Sequence, residues 1–499
     1  MPRRKKNKKA TNTVGKAPPQ RHTSPVEEAD PRASWFDPRP TRARVEQALL
    51  DAGPPHHLLG YEAVEIQDFI AANSRPVALE GASRLIREDF DAKNLEDVRT
   101  VFAGGGRGLM VVSKKEVSAV SHELHRRYRQ ITHGGQLAVA DAPLLVEAQR
   151  ESLRWLRMKL DGAKDRAPAP IAPLPTDFEI CADCRVRAVQ TDYRGPEHVL
   201  IPVCKRCARV VEVGRSGGGA RWTFEEISSD GSIALVHADG NNLGALFDDL
   251  TTLEEQALCS QIVSELFARA HQAACPRDTP FIAPVVGGDD IRVFLPSQAL
   301  LPYVTTLARQ LHELTAQLEA RQLPKRMVQA LRGVGVGVGA VVAPYHYPAQ
   351  RLFHMAHELE DEAKRSCLEH GYRSALSLVC LRSGEELSQG VQTYAKQGGR
   401  PNTIELGTDE ADRHLARAAA LLKVPSSQRA MMISSRDELD DEVEFINLFC
   451  YQLARNERWR AWFDTCNVDW RDRRAVAANL PDRHLLDLAS LSEVPDAGV

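Results

Sequence analysis

Between residues 232 and 381 the spacing of hydrophobic residues changes several times. Short apolar runs that fit buried strands alternate with stretches in which apolar residues recur every three or four positions, which indicates amphipathic helices. The predicted strands are residues 232–238, two apolar runs within 284–296, 333–343 and 375–381, and the predicted helices are residues 253–274, 300–321 and 349–370. This order, β-α-β-β-α-β with an added helix and strand, is the ferredoxin-like topology on which palm domains are built.

The strand predicted at residues 333–343 alternates glycine with valine, as GVGVGVGAVVA. Glycine in a strand interior often marks a place where another part of the molecule approaches the backbone closely. We therefore expect a packed element or a ligand against this strand.

The N-terminal half repeats the same order of elements. The predicted strands are residues 61–66, 98–103, 109–113 and 136–142, and the predicted helices are residues 81–93, 114–130 and 144–160. We call the N-terminal half the first block and residues 232–381 the second block. GGGRG at residues 104–108 of the first block stands where the second block has GGDD at residues 287–290. The repeat predicts an α+β protein with two ferredoxin-like palm domains, of which only the second carries carboxylates at this hairpin.

Two pairs of cysteines lie between the two blocks. Their C-x2-C spacing is typical of a zinc ribbon, in which each pair gives two thiolates to a tetrahedral ion; the cysteines are Cys181, Cys184, Cys204 and Cys207. A redox C-x-x-C is the alternative, but two such pairs favour a metal. Four thiolates leave no open coordination position, so the predicted role of the zinc is structural.

Linkers and composition predict five parts of the chain. A proline-rich stretch at residues 167–175 and a glycine-rich stretch at 214–220 flank the cysteine module. The predicted parts are a disordered basic tail (1–45), a first palm-like domain (46–166), the zinc ribbon with its linkers (167–226), a second palm domain (227–384) and a C-terminal helical domain (385–499).

The net charge and composition of the chain are those of many soluble proteins and point to no single function. The chain of 499 residues has a formal net charge of −3 and 43% hydrophobic residues, which is the balance of a soluble globular protein. We find no apolar run long enough for a membrane span and no secretory signal, so a cytoplasmic location is expected. The first 21 residues hold eight Lys or Arg and no acid, which fits a solubilising tail or one that contacts RNA or DNA phosphates.

Three carboxylates are predicted to converge in the second block. Asp289 and Asp290 follow Gly287-Gly288 at a hairpin tip, where glycines tolerate positive φ and leave the backbone open to a ligand. Asp239 ends the first predicted strand, on the same sheet edge. Aspartate is also an ordinary turn residue, but three converging carboxylates repel one another unless a cation neutralises them.

Magnesium or manganese fits such a site, because carboxylate oxygens bind these ions and leave positions open for phosphate oxygens. Two ions about 4 Å apart can activate a hydroxyl and stabilise a leaving pyrophosphate. We predict that Asp239, Asp289 and Asp290 are catalytic metal ligands and that the carbonyl of Gly240 completes the shell.

Other residues are candidates for nucleotide binding. Asn242 could bind a ribose or phosphate, although asparagine is also a common residue at helix starts, and Lys364 could reach a triphosphate, although a lone lysine on a helix is usually solvated. The glycines of both hairpins leave room for a nucleotide: Gly104, Gly105, Gly106, Gly287 and Gly288.

Several stretches together resemble the large palm-domain subunit of type III CRISPR effector complexes. They are VEIQDFIAANSRPVALEGASRLIRE and VFAGGGRGLMVV in the first block, the four-cysteine module, and ALVHADGNNLGALF, VVGGDDIRVFLP and AHELEDEAKRS in the second. The resemblance covers roughly residues 60–385 and, less specifically, extends through RPNTIELG and later helices. It implies conversion of ATP into cyclic oligoadenylate messengers for antiviral defence, triggered by target RNA in a complex with guide RNA and partner subunits, and it places Lys364 at nucleotide phosphates.

The sequence departs from the family pattern at two points. The usual D-x-D-N motif is Asp239-Gly240-Asn241-Asn242 here, so one carboxylate is replaced by an amide that could weaken metal binding or lie outside the metal's ligand shell. No His-Asp pair precedes Tyr61, so we expect a compact form without an HD nuclease domain.

Two alternatives to this enzyme stay open. Asn241 could mark a degenerate palm in a non-catalytic scaffold that binds RNA or protein subunits, although the three retained aspartates favour the enzyme. A diguanylate cyclase shares the hairpin chemistry, but the paired palms and the cysteine module argue against it. The active site lies either between the palms of one chain or in a dimer whose second copy completes it.

Overall fold

A computed structural model describes residues 35–165, 179–381, 402–409 and 442–478, apart from short internal gaps, together with scattered residues between 413 and 432. The gaps are at residues 65, 74, 134, 186, 195–198, 217–221, 229–230, 278, 320–321 and 467. The predicted basic tail up to residue 34 lies outside the described residues.

The first block forms a four-stranded antiparallel sheet in the order β2-β3-β1-β4. This is the strand order of a ferredoxin-like fold. The strands are β1 (His56–Val64), β2 (Thr100–Gly104), β3 (Arg107–Ser113) and β4 (Gln136–Pro143). The helices are α1 (Arg39–Ala52), α2 (Ile66–Ala71), α3 (Pro76–Arg84), a π-helical turn (Leu85–Ala92), α4 (Lys93–Leu95), α5 (Val117–Thr132) and α6 (Gln149–Lys164).

Two predictions for the first block need correction. The boundary of the basic tail at residue 45 falls inside α1, which is ordered because its apolar face, including Val45 and Ala48, packs against Leu109 of the first sheet. The strand predicted at residues 61–66 begins earlier, and Ile66 starts α2 instead, because the apolar side chains Phe69 and Ile70 turn into the core.

The cysteine module forms a hairpin and a helix beside the first block. Its elements are β5 (Thr191–Arg194), β6 (Leu200–Val203), α7 (Lys205–Ser216) and α8 (Phe224–Ile227). Helix α7 packs closely against α3, and glycines at the contact make this possible. A Cβ on Gly81 would lie 1.9 Å from the Val210 oxygen, and a Cβ on Gly214 would lie 2.0 Å from the Val77 oxygen.

The second block forms a six-stranded sheet in the order β12-β11-β10-β7-β9-β8. The strands are β7 (Ser232–Asn241), β8 (Ile282–Gly287), β9 (Asp290–Pro296), β10 (Gly335–Pro344), β11 (Ala375–Cys380) and β12 (Asn402–Glu405). Only β10 and β11 pair in parallel. The helices are α9 (Leu243–Asp249), α10 (Leu253–Ala274), α11 (Leu300–Ala316), α12 (Lys325–Arg332) and α13 (Ala349–His370), followed by α14 (Glu442–Arg455), α15 (Glu457–Thr465) and α16 (Arg473–Ala478).

Along the chain, the elements from β7 to β10 follow the predicted order β-α-β-β-α-β, and α13 and β11 are added. The four strands of this unit lie side by side in the order β10-β7-β9-β8. Helices α10 and α13 have the predicted bounds, and α10 begins at a capping box formed by Thr252 and Glu255. Helix α11 ends at Ala316, earlier than the predicted residue 321.

Residues 402–405, predicted to belong to a helical domain, instead form β12 and extend the second sheet along β11. In the part of the chain that the structure describes, no helix is both long and apolar enough to span a bilayer.

Apolar side chains from the two faces of the second sheet enter different cores. Val236 and Ala238 of β7 pack in the cluster with α10 and α11. Leu235, on the opposite face, packs with residues of α13 and the first block. Because side chains alternate along a strand, the odd-numbered residues of β7 all face α13.

Candidate functional site

The hairpin β8–β9 ends in a two-residue turn, Gly288-Asp289. Gly287 is the last residue of β8 and pairs with Asp290, the first residue of β9. Only Gly288 has positive φ (+64°), which corrects the prediction that both glycines supply this conformation. Asp289 therefore lies at the tip and Asp290 at the start of a strand.

Strand β7 continues two residues beyond Asp239, so this aspartate lies within the strand and not at its end as predicted. The register of β7 and β9 places Ala238 opposite Ile291, and the next pair outward is Asp239 and Asp290. A Cβ on Gly240 would lie 3.1 Å from the Cβ of Asp289. The three predicted aspartates thus come together at one edge of the second sheet.

Asp239 is in contact with a lysine. Lys364 Nζ donates to the Asp239 carboxylate and lies 2.7 Å from Glu360 Oε1. Burial and the neighbouring charge of Asp289 raise the pKa of Asp239 to about 7 against the opposing effect of Lys364. Burial lowers the pKa of Lys364, but the carboxylates of Asp239 and Glu360 raise it by more than burial lowers it. The pKa of Lys364 is therefore above its ordinary value and the lysine stays charged.

Asp290 contacts one hydrogen-bond donor and two basic side chains. Gln67 Nε2 donates to Oδ2 at 3.1 Å, while His237 Nε2 and Arg292 Nε lie 3.2 and 3.6 Å from Oδ1. Burial favours the protonated acid, but His237, Arg292 and Gln67 together bring the pKa of Asp290 below its ordinary value. Burial also lowers the pKa of His237. Asp290 is therefore a preorganised carboxylate.

The first-block hairpin meets the second at this point. Arg107 Nη2 lies 3.5 Å from Asp289 Oδ1, and a Cβ on Gly287 would lie 3.9 Å from Gly105 Cα. The β1–β3 register pairs Glu62 with Arg107, as Asp239 neighbours Asp290 in the second block. Lys164 Nζ lies 2.6 Å from Glu62 Oε2, so the first block repeats the acid–lysine contact of Asp239 and Lys364.

Two cavities open on either side of Asp289, between the blocks. One has a volume of about 220 Å³ and is lined by all three aspartates together with Gln67 and Gly105. The other has a volume of about 380 Å³ and is lined by Gly104, Asp289 and side chains that include Glu62, Arg107, Lys164 and Phe247. A nucleotide could therefore reach the carboxylates from two directions.

Alternating glycines in β10 explain how α13 reaches the carboxylates. A Cβ on Gly339 would lie 2.0 Å from the Ala356 oxygen, and a Cβ on Gly337 would lie 2.6 Å from Lys364 Cγ. The close approach predicted from GVGVGVG is therefore made by α13, whose backbone brings Glu360 and Lys364 over β7.

Asn241 contacts Cys367 and Arg373. It is buried, and its Nδ2 lies 3.2 Å from both Cys367 Sγ and the Arg373 carbonyl oxygen. An aspartate here would face that carbonyl oxygen without a proton to donate. The amide therefore suits these neighbours, which supports a place outside the ligand shell.

Two predicted nucleotide-binding residues lie elsewhere. Asn242 has left-handed backbone angles, is exposed, and is absent from the described lining of both cavities. Gly106 is buried; its N–H donates to Asp91 Oδ2 at 2.9 Å and its carbonyl accepts from the Ala63 N–H. The amide of Gly106 is thus already used within the first block, and its part in nucleotide binding stays a prediction.

The four cysteines of the module are buried together. Any two of their sulfur atoms lie within 4.8 Å of each other. The contact with Cys184 and burial raise the pKa of Cys204 to about 11, so without a cation this thiol holds its proton. Four convergent sulfurs fit the tetrahedral coordination of zinc.

Several contacting residues were missed by the sequence reasoning: Glu62, Gln67, Arg107, Lys164, His237, Arg292 and Glu360. Most join segments far apart in the chain, so no local spacing marks them. Glu62, Arg107 and Lys164 had a signal, because aligning the two repeats in register places them at the positions of Asp239, Asp290 and Lys364.

Comparisons with known proteins agree with this architecture. Residues 232–371 match the family described as Cas10/Cmr2, second palm domain. No curated protein matches. A solved Csm1-Csm4 cassette in complex with pppApA is 15% identical, with 91% of this chain and 71% of that chain covered and a TM-score of 0.51.

Two further solved structures are similar. Csm1 in T.onnurineus is 16% identical, with 87% of this chain and 70% of that chain covered and a TM-score of 0.47. A Csm1-Csm4 cassette in complex with AMPPNP is 16% identical, with coverage of 65% and 55% and a TM-score of 0.42. The aligned region thus spans little more than half of that last chain.

The pppApA-bound relative shares the fold of this chain at low identity. The family match lies on the segment that carries β7, the GGDD hairpin and α13. The resemblance to the palm subunit of type III CRISPR complexes is therefore confirmed for this segment. Residues 232–371 thus have the pattern and the fold of a second palm domain like that of Cas10/Cmr2.

Proposed function

We propose that this protein is a Mg²⁺- or Mn²⁺-dependent nucleotidyltransferase that converts ATP into a cyclic oligoadenylate messenger in CRISPR-type antiviral defence. The observation that carries the proposal is the convergence of Asp239, Asp289 and Asp290 beside two cavities between the blocks. A relative with the same fold was solved with pppApA, a linear product of adenylate transfer.

The donor set fits two divalent cations, because three carboxylates share one edge, where burial and the charges of Asp289 and Asp290 raise the pKa of Asp239. Bound there, the ions would lower the barrier for attack of a ribose hydroxyl on the α-phosphate, with a new P–O bond formed and pyrophosphate released.

The protein's own residues prepare this site. Gln67, His237 and Arg292 hold Asp290 in its ionised form and fix its direction. Glu360 positions Lys364, whose charge neutralises Asp239 and lies ready for a triphosphate. The bare backbone of Gly105, Gly287 and Gly288 leaves space at the tips for the nucleotide.

We also propose a structural Zn²⁺ on Cys181, Cys184, Cys204 and Cys207, forming a zinc ribbon between the two palms. A partner subunit is proposed as well, because the similar structure solved with pppApA is of a Csm1-Csm4 cassette. Guide RNA is proposed from the sequence resemblance. The compact form without an HD domain and a dimer remain predictions, as does the five-part division apart from the tail boundary and residues 402–405.

Product formation tests the proposal directly. Purified protein is incubated with each labelled NTP and Mg²⁺ or Mn²⁺, with and without RNA, and the products are resolved. We expect adenylate oligomers from ATP, with loss of product in Asp289→Ala and Asp290→Ala. Asp249→Ala is the matched control, because this exposed acid lies on α9 outside the carboxylate cluster.

The outcomes separate the alternatives. ATP binding without product under every condition would sink the enzyme and favour the scaffold. Product from GTP alone would indicate a diguanylate cyclase. Equal activity of the wild type and both aspartate variants would remove the carboxylates from the mechanism.

A further inference from the structure

A second group of potential metal ligands lies behind Asp290, between β7 and α13. It consists of His237, His357 and Glu360, each of which offers one ligand atom, and these atoms all lie within 4.8 Å of one another. We propose that these three residues bind a divalent transition-metal ion, at a site separate from the three aspartates and from the four cysteines.

The spacing of the group suits coordination after small side-chain rotations. His357 Nδ1 lies 3.4 Å from Glu360 Oε2, and the His237 and His357 ring centroids are 5.4 Å apart. Two ligands each about 2.1 Å from a tetrahedral ion are about 3.4 Å apart. Two imidazoles and one carboxylate would fill three positions and leave the rest for water.

His237 has the arrangement expected of a supported metal ligand. It is 1% exposed; its Nε2 lies 3.2 Å from Asp290 Oδ1 and 3.4 Å from Arg292 Nη2, while its Nδ1 is buried without a hydrogen-bond partner. Histidines that bind metals commonly donate their other ring N–H to a carboxylate, which fixes the tautomer and ring orientation. A metal would give the buried Nδ1 a partner.

The backbone packing makes this group possible. Gly339 is paired with His237 across β7 and β10, and a Cβ on Gly339 would lie 2.4 Å from Glu360 N. Only a glycine at this position lets α13 bring Glu360 and His357 so close to His237. His357 is half exposed, so an ion can reach the group from solvent.

The ligand types select the metal. Imidazole nitrogens favour zinc, cobalt, nickel and copper, whereas magnesium prefers an all-oxygen shell. Arg292 and Lys364 lie nearby and oppose any cation, so the site requires the stronger bonds that nitrogen donors give to transition metals. Glu360 can share its two oxygens, with Oε1 toward Lys364 and Oε2 toward the ion.

Metal stoichiometry tests the proposal without reference to activity. The full chain is dialysed against Zn²⁺ in excess Mg²⁺, and bound zinc per chain is measured by mass spectrometry. We expect His357→Ala to bind one equivalent fewer than the wild type. His354→Ala is the matched control, because His354 is exposed on the same helix and pairs with Glu358 outside the group.

A second measurement distinguishes this site from the cysteines. Co²⁺ bound to nitrogen and oxygen ligands gives visible d–d bands without the near-ultraviolet thiolate charge-transfer band. We expect His357→Ala to lose the bands of the nitrogen site and to keep the thiolate band, with an unchanged circular dichroism spectrum. Equal zinc content in the wild type, His354→Ala and His357→Ala would overturn the proposal, as would cobalt spectra that His357→Ala leaves unaltered.

Discussion

The two hairpins that meet at the centre of the molecule have the same topology but different side chains. In the first, Arg107 follows the turn Gly105-Gly106 and pairs with Glu62 on the neighbouring strand β1. In the second, Asp239 and Asp290 stand at the corresponding positions, and the turn is Gly288-Asp289. Arg107 of the first hairpin therefore corresponds to Asp290 of the second, and Gly106 corresponds to Asp289.

These differences change the charge of the side chains at the hairpin but leave the backbone fold the same. In both blocks a lysine from the helix that follows the fourth strand contacts the first strand's acid: Lys164 with Glu62, and Lys364 with Asp239. The shared fold therefore positions an acid and a lysine twice. Only the second copy gathers three carboxylates, so the proposed chemistry depends on side chains placed on the fold and not on the fold alone.

Removing the acid on the first strand of each block tests this difference most strongly. Asp239→Asn should lower the rate of product formation on the order of 10³-fold, because it removes a group that stabilises charge at the reacting phosphate. Glu62→Gln, the matched change in the first block, should lower it by less than about 10-fold, since it retains three carboxylates. Initial rates with labelled ATP measure both, and equal losses would contradict the assignment of one catalytic hairpin.

The helix contact of the second block should be the next most sensitive feature. Gly339→Ala would place a Cβ 2.0 Å from the Ala356 carbonyl oxygen and should reduce the free energy of unfolding by about 3 kcal/mol or more. Gly162→Ala on α6 of the first block is the control, because open space surrounds that position and alanine favours a helix. Urea unfolding monitors both; a neutral Gly339→Ala would show that α13 can move away without cost.

The turn of the first hairpin should tolerate change less well than the strand residue before it. Gly106 has φ +78°, and a Cβ there would lie 2.7 Å from Ile66 Cδ1. Gly106→Ala should destabilise the protein by about 1–3 kcal/mol, because it combines backbone strain with this clash. Gly104→Ala meets no atom within 4 Å and should change the midpoint of unfolding little. The two variants are compared in the same urea titration, and similar midpoints would argue against strain at the turn.

Asp91, which supports the first hairpin, should make stability depend on pH. Burial raises its pKa to about 7 against the effect of the Gly106 N–H, so the folded protein holds this proton more tightly than the unfolded chain does. The resulting stabilisation is complete below the unfolded pKa of about 4 and is lost as the pH rises to about 7.

Asp91→Asn removes this titration while keeping an oxygen for the Gly106 N–H. Relative to the variant, the wild type should lose about 1–3 kcal/mol of unfolding free energy between pH 5 and pH 8. Urea midpoints of both proteins at four pH values measure the difference. Parallel curves would show that Asp91 is ionised throughout.

The contact between the hairpins should have the smallest effect on stability. Arg107 is more than half exposed and lies 3.5 Å from Asp289, so Arg107→Ala should change the free energy of unfolding by less than about 0.5 kcal/mol. The same change should strengthen Mn²⁺ binding by about 2- to 5-fold, because a positive charge leaves the carboxylates. Titration calorimetry with Mn²⁺ tests this, and weaker binding would mean that Arg107 orients Asp289.

Local patterns predicted the second block well. Helix α10 has the predicted bounds because Thr252 and Glu255 cap it and its apolar residues keep a helical period. The ferredoxin-like order followed from the sequence of strand and helix periods, since such connections allow few arrangements. The hairpin carboxylates and the four cysteines were predictable because each set lies in short, spaced motifs.

Features that depend on contacts across the chain could not be predicted. Gln67 binds Asp290 from 223 residues away, and nothing in its local sequence distinguishes it from a solvated glutamine. Strand β12 was assigned to a helical domain because its pairing with β11 follows a long intervening segment. The orientation of Asn241 toward Arg373 likewise depends on where β11 begins.

The glycines of β10 also give a criterion for recognising related chains. Gly335 and Gly339 face backbone oxygens of Arg373 and Ala356, and Gly337 faces the Lys364 side chain, so their requirement comes from the packing of α13 and the segment after it and not from a ligand. A sequence that retains GGDD but carries larger residues at these alternate positions could not place a lysine beside the acid of its first strand. The spacing G-x-G-x-G before an amphipathic helix is therefore a test for an intact second palm that does not use the carboxylates themselves.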